Sequence, residues 1–193
     1  MNYLAHALLS PEDPIVLMGN LWGDLLKPRD YPELSPKLLE GISRHKEIDR
    51  YTDQHEAVNG IVRLLRPSQG KYTPVVADVL MDYMLSKFWH QYRDEPIEVF
   101  CRNIYITVYE NLDLIPERLH PRINRMLGHR WLESCKDKDR MQNTLVMLSK
   151  RVSFENNIPN ALDPYEQYEA DMDVLFGGFF EDMQKHINLQ SGG

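Results

Sequence analysis

The stretch "GISRHKEIDRYTDQH", residues 41–55, carries the side chains best suited to chemistry. His45, Asp49 and Asp53 are four residues apart, so on an α-helix they lie along one side. They continue an apolar stripe that begins at Leu38. An unpaired carboxylate on such a face costs several kcal/mol. The pattern therefore indicates a metal ion or an arginine beside these residues, unless this end of the helix is an ordinary solvated turn.

Three further segments place imidazole or carboxylate groups at inward-facing positions. His6 lies among leucines, Asp24 follows the apolar ridge of "PIVLMGNLWGD", and Asp82 lies within the largely apolar "TPVVADVLMDYMLSKFW". A lone histidine such as His6 is more often a hydrogen-bonded core residue than a ligand. The four segments together, however, form a set of nitrogen and oxygen donors without thiolate. Such a set favours Mn²⁺, Mg²⁺ or Fe²⁺ over structural zinc, which more often recruits cysteine.

The elements that must position these residues are helices. Proline follows a capping residue, as in Ser35-Pro36, which is typical of a first helical turn. Gly19 and Gly23 are four residues apart, which predicts the close approach of a second helix. No alternating strand pattern, hairpin turn or internal repeat is visible. The sequence predicts helices over residues 3–9, 14–26, 36–55, 56–65, 74–92, 96–112, 117–135, 138–151 and 164–186. The predicted class is all-α, one helical bundle and one domain over residues 1–193.

Composition excludes several other classes of protein. A length of 193 residues fits a single domain, and the formal charge of −7 argues against general nucleic-acid binding. No phosphate-binding glycine loop and no nucleophile elbow occur. Cys101 and Cys135 are far apart, as expected for buried thiols in a reducing cytosol. Without a secretory signal or about 20 consecutive apolar residues, we expect a cytoplasmic protein with no membrane partner. The oligomeric state stays open.

Four segments occur together in a known order: "MNYLAH", "GNLWGDLLK", "GISRHKEIDRYTDQH" and "DVLMDYMLSKFW". Because of these segments and their order, the chain resembles the acyl carrier protein phosphodiesterase family over nearly its whole length. The resemblance implies an all-α, HD-domain-like and Mn²⁺-dependent hydrolase. Such an enzyme removes 4′-phosphopantetheine from holo-acyl carrier protein and leaves the apo-carrier. The implied metal ligands are His6, Asp24, His45 and Asp49. The implied catalytic carboxylates are Asp24, Asp53 and Asp82, although the adjacent His-Asp pair of general HD proteins is absent here.

Two other functions remain open. A phosphohydrolase acting on a nucleotide or another small phosphoester would use the same metal site and leave holo-carrier unchanged. A non-catalytic helical binding module would instead pair its inward acids with arginines and hold no metal.

Because carrier protein is acidic, docking is expected to use local cations despite the negative total charge. Two basic clusters are candidates, although a cluster of this kind is more often an ordinary solvated face. Their residues are Arg63, Arg66 and Lys71 in the first cluster, and Arg118, Arg122 and Arg125 in the second.

Overall fold

The computed structural model describes residues 2–191, and every regular element within them is helical. The all-α prediction is therefore confirmed for that part of the chain. The α-helices, numbered α1 to α10, are Tyr3–Leu8, Pro14–Leu21, Pro36–Gln54, Glu56–Gln69, Thr73–Lys87, Ile97–Glu110, His120–Gly128, Lys138–Ser149, Leu162–Gln167 and Glu169–Ser191. Short 3₁₀ turns lie between several of them. Among the described helices, none is both long and apolar enough to cross a membrane.

Several predicted helices end or break earlier or later than expected. α2 ends at Leu21 instead of residue 26, while α4 continues through Pro67 in its last turn. The predicted helix over 117–135 is wrong, because α7 is followed by a break at Arg130, whose φ is 50°, and then by a 3₁₀ turn. The predicted helix over 164–186 divides at Tyr168 into α9 and α10. Apolar periodicity continues across these breaks, so it does not reveal them.

The described chain forms two compact units. The first unit contains residues 3–49 and 89–133, and the second contains residue 2 together with residues 50–88 and 134–191. α3 contributes its residues up to Asp49 to the first unit and its last turn to the second. The single-domain interpretation of residues 1–193 stays a prediction.

Two glycines fix the crossing of α2 and α3 in the first unit. A Cβ on Gly19 would lie 2.2 Å from the carbonyl oxygen of Leu38, and one on Gly41 would lie 2.2 Å from that of Val16. Any side chain at either position would therefore force the two backbones apart. The close approach predicted from Gly19 is confirmed, and it brings the end of α2 against the middle of α3.

The second unit packs around the aromatic residues of α10. Phe176, Phe179 and Phe180 are fully buried, and the rings of Phe176 and Phe180 stack with centroids 5.5 Å apart. A Cβ on Gly60 of α4 would lie 3.0 Å from Leu175, so α4 and α10 also pack closely. This core gives the second unit its own hydrophobic centre.

Candidate metal centre

His6 is held by a buried amide from the neighbouring helix. Its ring is 2% exposed, and its Nδ1 lies 2.9 Å from Oδ1 of Asn20 on α2. The Asn20 amide nitrogen donates to the carbonyl oxygen of His6 at 2.9 Å and to Oγ of Ser10 at 2.8 Å. The short helix α1 is thus tied to α2 at the residue that carries its imidazole.

His45, on α3, is fixed beside His6. Its Nδ1 lies 2.8 Å from the main-chain oxygen of Asn20, and its ring stacks on that of His6 with centroids 4.2 Å apart at 21°. Gly23 makes room for this ring, since a Cβ there would lie 2.5 Å from His45 Cγ. The second glycine of the predicted pair therefore accommodates the imidazole itself.

Two carboxylates face the Nε2 atoms of these histidines. One Asp49 oxygen lies 3.2 Å from His6 Nε2, and the other lies 3.2 Å from His45 Nε2. An Asp24 oxygen lies 3.3 Å from His45 Nε2. The side chain of Asp49 is 34% exposed and that of Asp24 is 81% exposed, so the histidines form the buried floor and the carboxylates face solvent.

The charges of this cluster depend on one another. Burial lowers the pKa of His6. Burial also acts to lower the pKa of His45, but its contacts with Asp24 and Asp49 outweigh burial and raise that pKa to about 9. Burial would raise the pKa of Asp49, yet its contacts with both histidines dominate and lower it well below its usual range. The contact with His45 likewise lowers the pKa of Asp24. At neutral pH the metal-free cluster therefore holds two carboxylates and one imidazolium.

The arrangement fits a divalent cation. Both Nδ1 atoms form hydrogen bonds with oxygens that only accept, whereas the Nε2 atoms form none with the carboxylate oxygens beside them, so each imidazole is assigned a proton on Nδ1. The buried Nε2 atoms of His6 and His45 make no well-aligned hydrogen bond, although carboxylate oxygens lie beside them. Metal-binding histidines commonly donate their other ring N–H to a carbonyl or carboxylate in this way. Ligand atoms of His6, His45 and Asp49 all lie within 4.8 Å of one another, close enough for one ion.

The structure brings the four predicted metal ligands together. His6, Asp24, His45 and Asp49 converge in the first unit. Along α3, burial decreases from His45, which is buried, through Asp49 to Asp53, which is exposed. The solvated-turn interpretation thus describes Asp53 but not His45.

Asp53 and Asp82 both belong to the second unit. Asp82 is only 3% exposed on α5, where Ser86 donates a hydrogen bond to its main-chain oxygen. The catalytic roles of Asp53 and Asp82 stay predictions.

Asn20 is the residue whose role the sequence did not reveal. It lies one turn before Asp24 beside an apolar ridge, and it is fully buried. A buried amide within "GNLWGD" is a signal, because a buried polar group requires partners. Its contact with His45 is made by its main-chain oxygen, so this contact could not be inferred from the residue type.

The fold and the site define an all-α protein with a candidate divalent-metal centre of two histidines and two aspartates. A family model described as acyl carrier protein phosphodiesterase matches residues 1–183. Proteins named acyl carrier protein phosphodiesterase from Salmonella dublin and Salmonella newport are each 30% identical over 152 residues, covering 78% of this chain and 79% of theirs. The chain belongs to the acyl carrier protein phosphodiesterase family. No solved structure is significantly similar to it, so the HD-domain-like architecture stays an expectation.

Proposed function

We propose that the chain is a cytoplasmic, metal-dependent phosphodiesterase that hydrolyses holo-acyl carrier protein to apo-carrier and 4′-phosphopantetheine. One observation carries this proposal: two buried Nε2 atoms and the Asp49 carboxylate converge, in a member of a family named for that activity. The nitrogen and oxygen donors favour Mn²⁺, with Mg²⁺ or Fe²⁺ as the alternatives.

Residues of this chain would bind the metal ion. His6, His45 and Asp49 would hold the ion, which when bound supplies an activated water and neutralises charge on the phosphoryl oxygens. Asp24 would complete the ligand set from the solvent side, and Lys27 Nζ donates a hydrogen bond to its main-chain oxygen.

The leaving group is a serine alkoxide, which needs a proton because it is a poor leaving group. Asp24, the most exposed carboxylate of the cluster, is ionised at neutral pH because its contact with His45 lowers its pKa, so it is suited to accept a proton from water and not to supply the first proton to the leaving group. Asp53 and Asp82 remain proposed as general acid/base or orienting carboxylates. Substitution of each by asparagine, with kcat measured separately from KM, tests those roles.

Docking is proposed to use the exposed cations. Arg63, Arg66 and Lys71 are exposed in the second unit, and Lys71 Nζ lies 4.3 Å from the ring centroid of the exposed Phe154. In the other cluster, Arg118 is ion-paired with Asp30, which offsets part of its charge. The first cluster is therefore the better candidate for the surface that docks an acidic carrier.

The decisive experiment is incubation with holo-carrier and Mn²⁺, followed by intact-mass analysis of the carrier. We expect wild-type protein to remove the prosthetic arm and Asp49→Asn to lose this activity. Glu40→Gln, an exposed carboxylate change on the same helix, serves as the matched control and should leave the activity unchanged. Persistence of the arm with Mn²⁺-loaded wild-type protein, together with turnover of nucleotides, would overturn the proposal in favour of a small-phosphoester hydrolase.

A further inference from the structure

Asn20 contacts both histidines of the metal centre through two different oxygens. Its side-chain Oδ1 lies 2.9 Å from His6 Nδ1, and its main-chain oxygen lies 2.8 Å from His45 Nδ1. We propose that Asn20 is a positioning residue that fixes both histidines as Nδ1–H tautomers and thereby aims both Nε2 lone pairs at the metal position. This inference rests on the metal site of the proposed function.

The orientation of the Asn20 amide follows from its other contacts. Its nitrogen donates to the carbonyl oxygen of His6, which has no proton to give. It also donates to Ser10 Oγ, whose own proton is directed to that same carbonyl oxygen at 2.9 Å. A flipped amide would place two oxygens against each other at this point. Oδ1 therefore faces His6 Nδ1. Because Oδ1 only accepts hydrogen bonds, the proton of this hydrogen bond must be on Nδ1.

The contact with His45 depends on where α2 ends. The last carbonyl groups of a helix have no partner within it, and α2 ends at Leu21, one residue after Asn20. The Asn20 carbonyl is thus available to accept the N–H of His45. After replacement of the Asn20 side chain, the Nδ1–H tautomer of His6 should no longer be favoured, while the main-chain hydrogen bond to His45 should stay in place.

The tautomer of His6 can be read directly in the metal-free protein. Long-range ¹⁵N–¹H correlation of the imidazole ring, at a pH where His6 is neutral, should show the proton on Nδ1 in the wild type. Asn20→Ala should shift His6 toward a mixture of tautomers. A wild-type His6 that carries its proton on Nε2 would overturn the proposal without any variant having to fold. Since this readout requires no hydrolysis, it can fail separately from the proposed function.

Metal affinity gives the second readout. Groups that orient metal ligands typically contribute 10- to 100-fold in affinity, so Asn20→Ala should raise the Kd for Mn²⁺, titrated by electron paramagnetic resonance, by about that factor. Gln69→Ala is the matched control, because it removes another buried side-chain amide, which lies in the second unit. It should lower the melting temperature without changing the Kd. An unchanged Kd in Asn20→Ala, or an equal loss of affinity in both variants, would refute the positioning role.

Discussion

Adding a single methyl group at Gly23 should disturb the metal centre without removing any ligand. A Cβ at Gly23 would lie 2.5 Å from Cγ of His45, and 2.7 Å from both its Cβ and Cδ2. Ordinary contact begins at 3.4 Å, so the imidazole and the Gly23 backbone must separate by about 0.9 Å (3.4 minus 2.5). A displacement of that size disrupts the 2.8 Å hydrogen bond from His45 to the Asn20 carbonyl and the 3.2 Å approach to Asp49.

The expected cost of Gly23→Ala has two parts. Overpacking of a buried site typically lowers the free energy of unfolding by about 1–3 kcal/mol. For a chain of this size, that corresponds to a fall in melting temperature of roughly 2–12 °C. Misplacement of His45 should also weaken Mn²⁺ binding by about 10- to 100-fold. Thermal melts of the metal-free protein measure the first effect, and a Mn²⁺ titration measures the second.

The same substitution at Gly178 provides the control. Apart from the adjoining backbone of α10 itself, a Cβ at Gly178 would have no heavy atom within 4 Å, so alanine there should stabilise the helix by about 0.5–1 kcal/mol and leave Mn²⁺ binding unchanged. Opposite signs at the two glycines would establish that close packing at Gly23 is responsible. If Gly23→Ala melts and binds Mn²⁺ like the wild type, the imidazole is not confined as argued.

Three further predictions concern charge and reactivity. Because the pKa of His45 is raised from 6.5 to about 9 in the folded state, its stabilisation of the metal-free protein is fully present below pH 6.5 and is lost as pH rises to 9. Urea unfolding across this range should show that loss, and His45→Gln should abolish it; an unchanged pH dependence in His45→Gln would contradict the assignment. Arg66→Glu with Lys71→Glu should lower kcat/KM for holo-carrier and flatten its salt dependence, with Mn²⁺ affinity unchanged; a wild-type rate insensitive to salt would exclude electrostatic docking. Cys101 and Cys135 are buried, and burial raises the pKa of the Cys135 thiol, so neither should react with a thiol reagent until the protein is denatured. Rapid labelling of the native protein would contradict this.

Helix starts were predictable from the sequence because they are encoded locally. The predicted starts at Pro14, Pro36 and Lys138 agree with the structure, and Asp13 and Asp137 accept hydrogen bonds from the first turns of their helices. Helix ends were less predictable. α2 ends at Leu21 although apolar residues continue to Leu26. The turn that follows is packed within the first unit, and the local apolar pattern does not show which residues it packs against.

The candidate site was predictable to the extent that it depends on side-chain spacing. His45 and Asp49 share one face of a single helix, so their proximity follows from helical geometry. The stacking of His6 on His45 depends instead on the Asn20 amide, which ties α1 to α2, and on the crossing of α2 and α3, which two glycines and a main-chain carbonyl determine. In the sequence, only glycine residues indicate backbone contacts of this kind.

The cluster also explains why Asp49 and Asp53, one turn apart, should differ in function. Asp49 contacts both imidazoles, and these contacts keep its carboxylate ionised despite partial burial. Asp53 is exposed, so water already solvates its charge and no cation is required there. In the metal-free protein the proton on His45 partly balances the two carboxylates, and a divalent ion would take the place of that proton because both need the same Nε2. Metal binding should therefore release a proton, which links the occupancy of the site to pH through His45 itself.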